Sequence, residues 1–354
     1  MRFVASAPGR ICLFGEHQDY FEWPVVASAI NLRAEIRCES RNDRLVRLHL
    51  LDLDEVFEWS LEDLPFPKSR EYWLSALHIA HREGWLPERG WNAWVTSAIP
   101  QKAGASSSSA LTSAWCASVA HLAGKEWDSE WNAMATWRAE VQWFDEPGGM
   151  MDQVACSMGG TLHVDFSPAF HSRWLQNPGG KWFLFDSNEP KETIEILRRA
   201  KNRRLDLISD WGIAVGSEWP ESLPVRPLHW TEQDHALMDA TIGNKEVSER
   251  GASLLTQHAL DLRALGGMLN EHHHWLSQGI GVSTPRIDSI LKDAMKRGAW
   301  GGKINGSGGG GTGFILAPDG LETSLMESVS LNGGTLFPIE LDQPGVWIRE
   351  LPSA

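Results

Sequence analysis

The sequence predicts an α+β protein built from two lobes. The chain has 354 residues, which at about 100–200 residues per domain makes two domains or one two-lobed unit. Strand-like and helix-like stretches mix along it without a strict βαβ rhythm, which disfavours a doubly wound parallel sheet. Hydrophobic residues make up 42%, enough for a sizeable core, and charged residues make up 22%, near the globular norm.

The elements follow in order. Residues 3–7 (FVASA) read as a short strand running into Pro8-Gly9, and residues 25–37 as a second. Residues 91–98 (WNAWVTSA) alternate and stop before Pro100. After Ser106–Ser109, apolar residues recur at Leu111, Ala114, Trp115, Val119 and Leu122, a helical face closed by Gly124. Residues 129–144 read as a helix, 161–166 (TLHVDF) and 181–187 (KWFLFDS) as strands, and 191–210 as a charged surface helix. Leu254, Leu255, His258, Leu262, Leu265 and Leu269 lie at helical spacing within 251–276, and 312–317 (TGFILA) reads as a strand. The Pro-rich stretch 217–228 is a connector, and a domain boundary is expected near 170, giving units 1–170 and 171–354.

Charge and composition exclude several function classes. The formal net charge is −14, from 32 Lys plus Arg against 46 Asp plus Glu, the wrong sign for a nucleic-acid surface. A local nest of amides still holds phosphate in an acidic protein. No window approaches 18 apolar residues, so no membrane span is expected, and the opening MRFVASAPGRICLFGEH lacks a signal-peptide core. Cys12, Cys38, Cys116 and Cys156 form no CxxC pair, which predicts reduced thiols and a cytoplasmic protein. The 19 Trp show no motif spacing and read as packing. His272-His273-His274 falls in a helix, where adjacent side chains diverge by about 100°, so a solvated or half-buried face is expected rather than a metal site.

Four segments carry chemistry. Between Arg10 and Tyr20 the chain packs a cation, an imidazole and the carboxylates Glu16 and Asp19. Such a set hydrogen-bonds several hydroxyls of a polyol, and a polar turn between strands is the alternative. The loop Ala98–Ala110 is rich in small residues and leads into a helix, so its amides and the helix dipole form an anion site, with a Ser-rich capping loop as the alternative. The run Lys303 to Thr312 satisfies G-x-G-x-x-G, but a strand follows it rather than a helix, which rejects a dinucleotide fingerprint. It is either a glycine-rich loop bracing the nucleotide loop or a flexible hairpin. The Walker A pattern is absent. Last, Glu140 and Asp152 flank a Pro-Gly-Gly turn, either as a Mg²⁺ ligand and an acceptor-facing acid or as two surface acids.

Taken together these segments resemble the GHMP kinases, the family of galactokinase, homoserine kinase, mevalonate kinase and phosphomevalonate kinase. The motifs occur in the family's order over roughly residues 3 to 318. The galactokinase branch is the nearest, since its first motif reads like PGRxNLxGEHTDY against PGRICLFGEHQDY here. The resemblance implies an N-terminal ribosomal-S5-like domain, a C-terminal ferredoxin-like domain and a site between them. It implies ATP and Mg²⁺ as cofactors and a small sugar-like acceptor, with no nucleic-acid or membrane partner. By the same matches Asp152, in Gly149-Met150-Met151-Asp152-Gln153, is the catalytic acid/base beside Arg10. Glu16, His17, Asp19 and Gly149 bind the acceptor. Lys102, Ala103, Gly104, Ala105, Ser106, Ser107 and Ser108 hold the nucleotide, Ser108 and Glu140 hold the metal, and Gly306, Ser307, Gly308 and Gly310 form the supporting loop.

Departures from the family pattern touch the nucleotide loop and the acceptor side. Lys102 stands where glycine is common, and it either reaches a phosphate or points to solvent. The stretch DSNEPKETIEILRRAKNRR lacks the tyrosine that galactokinases carry there, and Pro24-Val25-Val26 replaces a glycine-rich segment.

Overall fold

A computed structural model describes residues 1–100, 104–167, 170–190, 193–216 and 223–352. The strands are β1 (Arg2–Phe14), β2 (Val25–Ser40), β3 (Leu45–Leu50), β4 (Glu55–Ser60), β5 (Trp91–Ser97), β6 (Thr161–Asp165), β7 (His171–Leu175), β8 (Lys181–Asp186), β9 (Gly301–Ile304), β10 (Thr312–Ala317), β11 (Thr335–Ile339) and β12 (Trp347–Glu350). The helices are α1 (Tyr72–Arg82), α2 (Ser107–Leu122), α3 (Ser129–Trp137), α4 (Met151–Met158), α5 (Thr193–Asp210), α6 (Glu232–Leu254), α7 (Leu262–His274), α8 (Pro285–Lys296) and α9 (Glu322–Leu331).

Among the described residues the strands form two sheets. The larger runs β12-β1-β2-β5-β3-β4, with β6 and β7 added on β2, and the smaller runs β11-β8-β10-β9. All pairings are antiparallel except β3 with β5. The sheets do not divide the chain at one point, because β12, near the C-terminus, pairs with β1. No helix of the described residues is long and apolar enough to cross a membrane.

Strand β1 does not stop at Pro8-Gly9. Pro8 still pairs with Arg33 and Arg10 with Ala29, so the register shift between them puts the extra residues on β2, and β1 runs on to Phe14. A Cβ at Gly9 would lie 2.7 Å from the Ala105 carbonyl, so the missing side chain lets the nucleotide-side loop touch the strand. The Arg10 amide donates to that same carbonyl at 3.2 Å. Helix α2 packs on β1 and β2 and is buried around most of its circumference. Its Ala and Ser residues suit that close approach. Trp91 and Trp115 fill the core beside it with ring centroids 5.7 Å apart.

Four expectations are corrected. The helix expected over 129–144 is α only as far as Trp137, and a π-helical turn spans Arg138–Gln142. The helical spacing across 251–276 belongs to two helices, because Asp261 caps α7 by accepting from the amides of Arg263 and Ala264. Helix α5 is not wholly a surface helix: Arg204 is fully buried and donates to the His17 carbonyl, the Tyr20 hydroxyl and the Thr241 hydroxyl. His272 likewise is neither solvated nor half-buried. Its ring is fully buried and stacks on Phe14 at 5.8 Å, and burial, with Lys303 nearby, pushes its pKa well below the usual range.

A buried ion pair ties the small sheet to the loop after β1. Lys303 on β9 is 0% exposed and donates to Glu16 Oε2, the Cys12 carbonyl and the Ile304 carbonyl, each at 2.8 Å. Glu16 Oε1 accepts from the Gly306 amide at 3.0 Å. Breaking such a pair leaves an uncompensated buried charge. Lys303→Met is therefore expected to destabilise the protein by about 3–5 kcal/mol in denaturant unfolding. Unchanged stability would contradict the role given to the pair.

Candidate active site

A cavity of about 1120 Å³ opens where the loop after β1, the N-terminus of α2, the first turn of α4 and the glycine-rich loop converge. On its wall the structure gathers Arg10, Glu16, His17 and Asp19 with Gly149 and Asp152. Gly104, Ser106, Ser107 and Ser108 line it, as do Glu140, Gly306 and Ser307. Ala105 is fully buried behind the loop. Lys102 and Ala103 lie outside the described residues.

Arg10 and Asp152 stand at the centre. The Arg10 Nε and Nη2 atoms both reach Asp152 Oδ1, at 2.8 and 2.6 Å, which leaves Oδ2 outside the pair. Asp152 lies in the first turn of α4, where the helix dipole favours an anion, and its side chain is 33% exposed. Arg10 Nη1 donates to the Gly104 carbonyl at 2.6 Å. One guanidinium thus ties the carboxylate to the small-residue loop. Burial alone would lower the Arg10 pKa, but Asp152 and Glu16 hold it above the ordinary arginine value.

The small-residue loop leads into α2 through Ser106, which adopts a left-handed conformation at φ 62°. The Ser106 hydroxyl is buried without a hydrogen-bond partner among the described residues. Opposite it, Gly306 takes φ +77°, and a Cβ there would come within 2.6 Å of the Gly104 carbonyl. Asn305 Nδ2 also donates to that carbonyl, at 3.1 Å. The glycine run is therefore a brace against the small-residue loop rather than a free hairpin. Gly308 and Gly310 take positive φ in the same loop.

On the other side of Asp152, Asp19 lies against the turn before α4. A Cβ at Gly149 would fall 2.1 Å from Asp19 Oδ2, so only glycine fits there. Asp19 Oδ2 accepts from the Met151 amide at 3.4 Å. Burial, and then the charge of Asp152, raise the Asp19 pKa to about 6. His17, at φ 61°, has its ring nitrogens 3.1 Å from the Tyr20 hydroxyl and 3.2 Å from the Ser307 carbonyl. The oxygens of Glu16 are engaged by Lys303 and Gly306 as described above, so Glu16 serves first as a structural link between loops.

Glu140 rides on the π-helical turn and faces α2. Its Oε2 accepts from the Ser109 hydroxyl at 2.6 Å and the Gln153 amide at 2.7 Å, and its Oε1 from the Thr112 hydroxyl at 3.3 Å. The serine hydroxyl bonded to Glu140 is that of Ser109; Ser108, one residue earlier, is exposed at the cavity. Burial raises the Glu140 pKa to about 7 against the Ser109 and Gln153 hydrogen bonds, and Asp152 adds to the rise. A buried carboxylate with hydroxyl neighbours and no cation partner among the described residues is a fitting oxygen ligand for a hard divalent cation. No cluster of three or more His, Cys, Asp or Glu that could hold a metal occurs among the described residues. A magnesium ion held by Glu140 would complete its oxygen ligands from nearby serine hydroxyls, water and a nucleotide.

Lys303, Asn305, Ser109 and Gln153 stood within the motifs but were given no role from the sequence, and Arg204 was not singled out. One signal was present: a lysine inside the apolar run GGKI needs a buried acid to balance it.

Three family descriptions match the chain: "Galactokinase galactose-binding signature" over residues 1–38, "GHMP kinases N terminal domain" over 71–160 and "GHMP kinases C terminal" over 254–329. Together they span more than half of it. A mevalonate kinase of Thermococcus gammatolerans is 26% identical, with 99% of each chain covered. A galactokinase of Streptomyces coelicolor is 28% identical over 88% of this chain and 84% of its own. The crystal structure of Lactococcus lactis galactokinase complexed with galactose superposes with a TM-score of 0.80 at 17% identity, covering 98% of this chain and 95% of the other.

The raised Glu140 pKa carries a sign for stability. The folded state holds its proton from the ordinary value of 4.5 up to about 7, so this group's contribution to stability falls as pH rises through that window. Glu140→Gln removes the titration. Between pH 5 and 8, without magnesium or nucleotide, the wild type is expected to lose about 1–3 kcal/mol relative to the variant. Parallel pH profiles from denaturant unfolding would show that Glu140 is already ionised at low pH.

Proposed function

The chain belongs to the GHMP kinase family, and from that membership we propose that it moves the γ-phosphoryl of ATP to a hydroxyl of a polyhydroxylated sugar, as galactokinases do, with galactose or a related sugar as acceptor and its anomeric hydroxyl as the attacking group. One observation carries this reading. Arg10 bonds at once to Asp152 and to the Gly104 carbonyl, so a carboxylate is held at a set position beside a loop shaped for phosphate. Asp19 and Gly149 lie on the far side of that carboxylate, where an acceptor hydroxyl would stand.

Phosphoryl transfer asks for alignment and charge neutralisation more than covalent chemistry. The amides and hydroxyls from Gly104 to Ser109 bind the phosphates, with the orphaned Ser106 hydroxyl as one donor. Asp152 orients the acceptor hydroxyl. The acceptor oxygen bonds to the γ-phosphorus as the bond to the β,γ-bridging oxygen breaks, and ADP leaves. The hydroxyl proton passes to Asp152 late in the step, because a carboxylate is a weak base. An anomeric hydroxyl is more acidic than an ordinary alcohol, which eases that transfer. Arg10 offsets negative charge building on the moving group. Glu140, with the serine hydroxyls near it, would hold magnesium, which when bound neutralises the β- and γ-phosphate oxygens.

The mevalonate kinases that match this chain end to end favour mevalonate as a second acceptor class. A coupled ADP-release assay with Mg-ATP against neutral hexoses, uronic acids, amino sugars and mevalonate separates the two. Turnover with a sugar and none with mevalonate is expected; the reverse would replace the sugar reading. Asp152→Asn is expected to retain ATP binding and to lower turnover by about 10²–10⁴. Near-normal turnover in that variant would remove Asp152 from the reacting centre.

A further inference from the structure

The cavity wall carries more carboxylates than cations, and three arginines line it among the described residues. Arg10 is bonded to Asp152, and Arg70 pairs with Glu146 at 3.4 Å. Arg198 lines the same cavity, yet it makes no hydrogen bond or ion pair with any described residue. In a chain of net charge −14, a guanidinium that faces a cavity rich in acids and bonds to none of them is available to an anion that enters from outside.

The register of α5 relates Arg198 to the acceptor-side loop. Arg198, Lys201 and Arg204 are spaced by three residues and share one helical face. Arg204 is buried against the acceptor-side loop through the His17 carbonyl and the Tyr20 hydroxyl. One turn earlier, Lys201 lies over the Tyr20 ring at 5.5 Å and donates to the Pro147 carbonyl at 3.3 Å. The next turn brings Arg198 to the cavity wall that also holds Tyr20, Gly148 and Gly149, beside Asp19. The phosphate-shaped loop approaches from α2, and Arg10 with Asp152 stands between that loop and Asp19.

We infer that Arg198 binds an acidic group on the acceptor, so that the preferred substrate is an acidic sugar, a uronic acid or sugar phosphate, rather than its neutral counterpart. The inference rests on the sugar-kinase reading above and narrows its substrate class. The carboxylate or phosphate would take the fork of the guanidinium, while Asp19 accepts from a ring hydroxyl. Arg198 is then a specificity residue that touches substrate away from the transferred group. Its loss weakens acceptor binding and leaves the phosphoryl step alone.

The test pairs each neutral hexose with its uronic acid and its monophosphate, using the full chain and its Arg198→Gln and Arg198→Lys variants. ADP release gives kcat and KM for both substrates, and a thermal shift with acceptor alone gives binding without turnover. The acidic partner is expected to exceed the neutral one at least about tenfold in kcat/KM. Arg198→Gln should raise the acidic acceptor's KM about 10- to 100-fold, with kcat and the KM for ATP within about twofold of wild type. Arg198→Lys should recover part of the loss. A neutral sugar preferred by the wild type would overturn the inference. So would a lowered kcat with every acceptor or a raised KM for ATP, either of which would assign Arg198 to the nucleotide. If no acceptor is turned over, the kinase reading fails by itself. The inference is then decided by whether an acidic sugar stabilises the wild type and not Arg198→Gln, and no shift in the wild type would refute it.

Discussion

The buried pair between Glu16 and Lys303 is the contact on which the site's geometry depends. A lysine with no exposed surface is tolerable only where its charge and its three N–H donors are met. Here they meet Glu16 and two backbone carbonyls. The pair fixes β9 of the small sheet against the end of β1 in the large one, and the Gly306 amide on Glu16 extends that fixation into the glycine-rich loop. Gly104 is then reached from both sides, by Arg10 and by Asn305. Hydrogen bonds are directional, so they set register between the loops more tightly than apolar contact does. The cost falls on Glu16, whose oxygens are engaged in that task.

Around this frame the cavity is held in electrostatic tension. Glu140 and Asp19 both have raised pKa values because burial disfavours their charge and Asp152 lies near them. A site for a nucleotide alone would gain nothing from concentrated acids. A divalent cation and an acceptor rich in hydroxyls give those acids partners, which is why the charge pattern supports a kinase more strongly than a simple phosphate-binding module. Among the described residues Arg10 is the one cation at the centre, and its bonds to Asp152 and Gly104 keep it from being spent elsewhere.

Much of this was legible in the sequence, and what was not has physical causes. The helix after the serine run, the strands at 25–37, 91–98 and 312–317, and the three loops all announced themselves through periodicity and small residues. Local pattern does not report which way a charged side chain turns, so Arg204 read as part of a solvated helix although it is fully buried. Pro8-Gly9 read as a stop because those residues usually end strands, but pairing on β2 with a bulge carried β1 through. The bond between Glu140 and Ser109 depends on the π-helical turn at Arg138–Gln142, which leaves no mark in an apolar repeat. The pairing of β12 with β1 joins residues nearly the whole chain apart, beyond the reach of any local window.

The most direct test of the central claim is a crystal structure with magnesium and a non-hydrolysable ATP analogue. The account predicts phosphates against the amides of Gly104–Ser109, the metal on Glu140, and the γ-phosphate directed toward Asp152 with open space beside Asp19 for an acceptor. An analogue bound with its phosphates away from that loop, or with its γ-phosphate turned from Asp152, would contradict it.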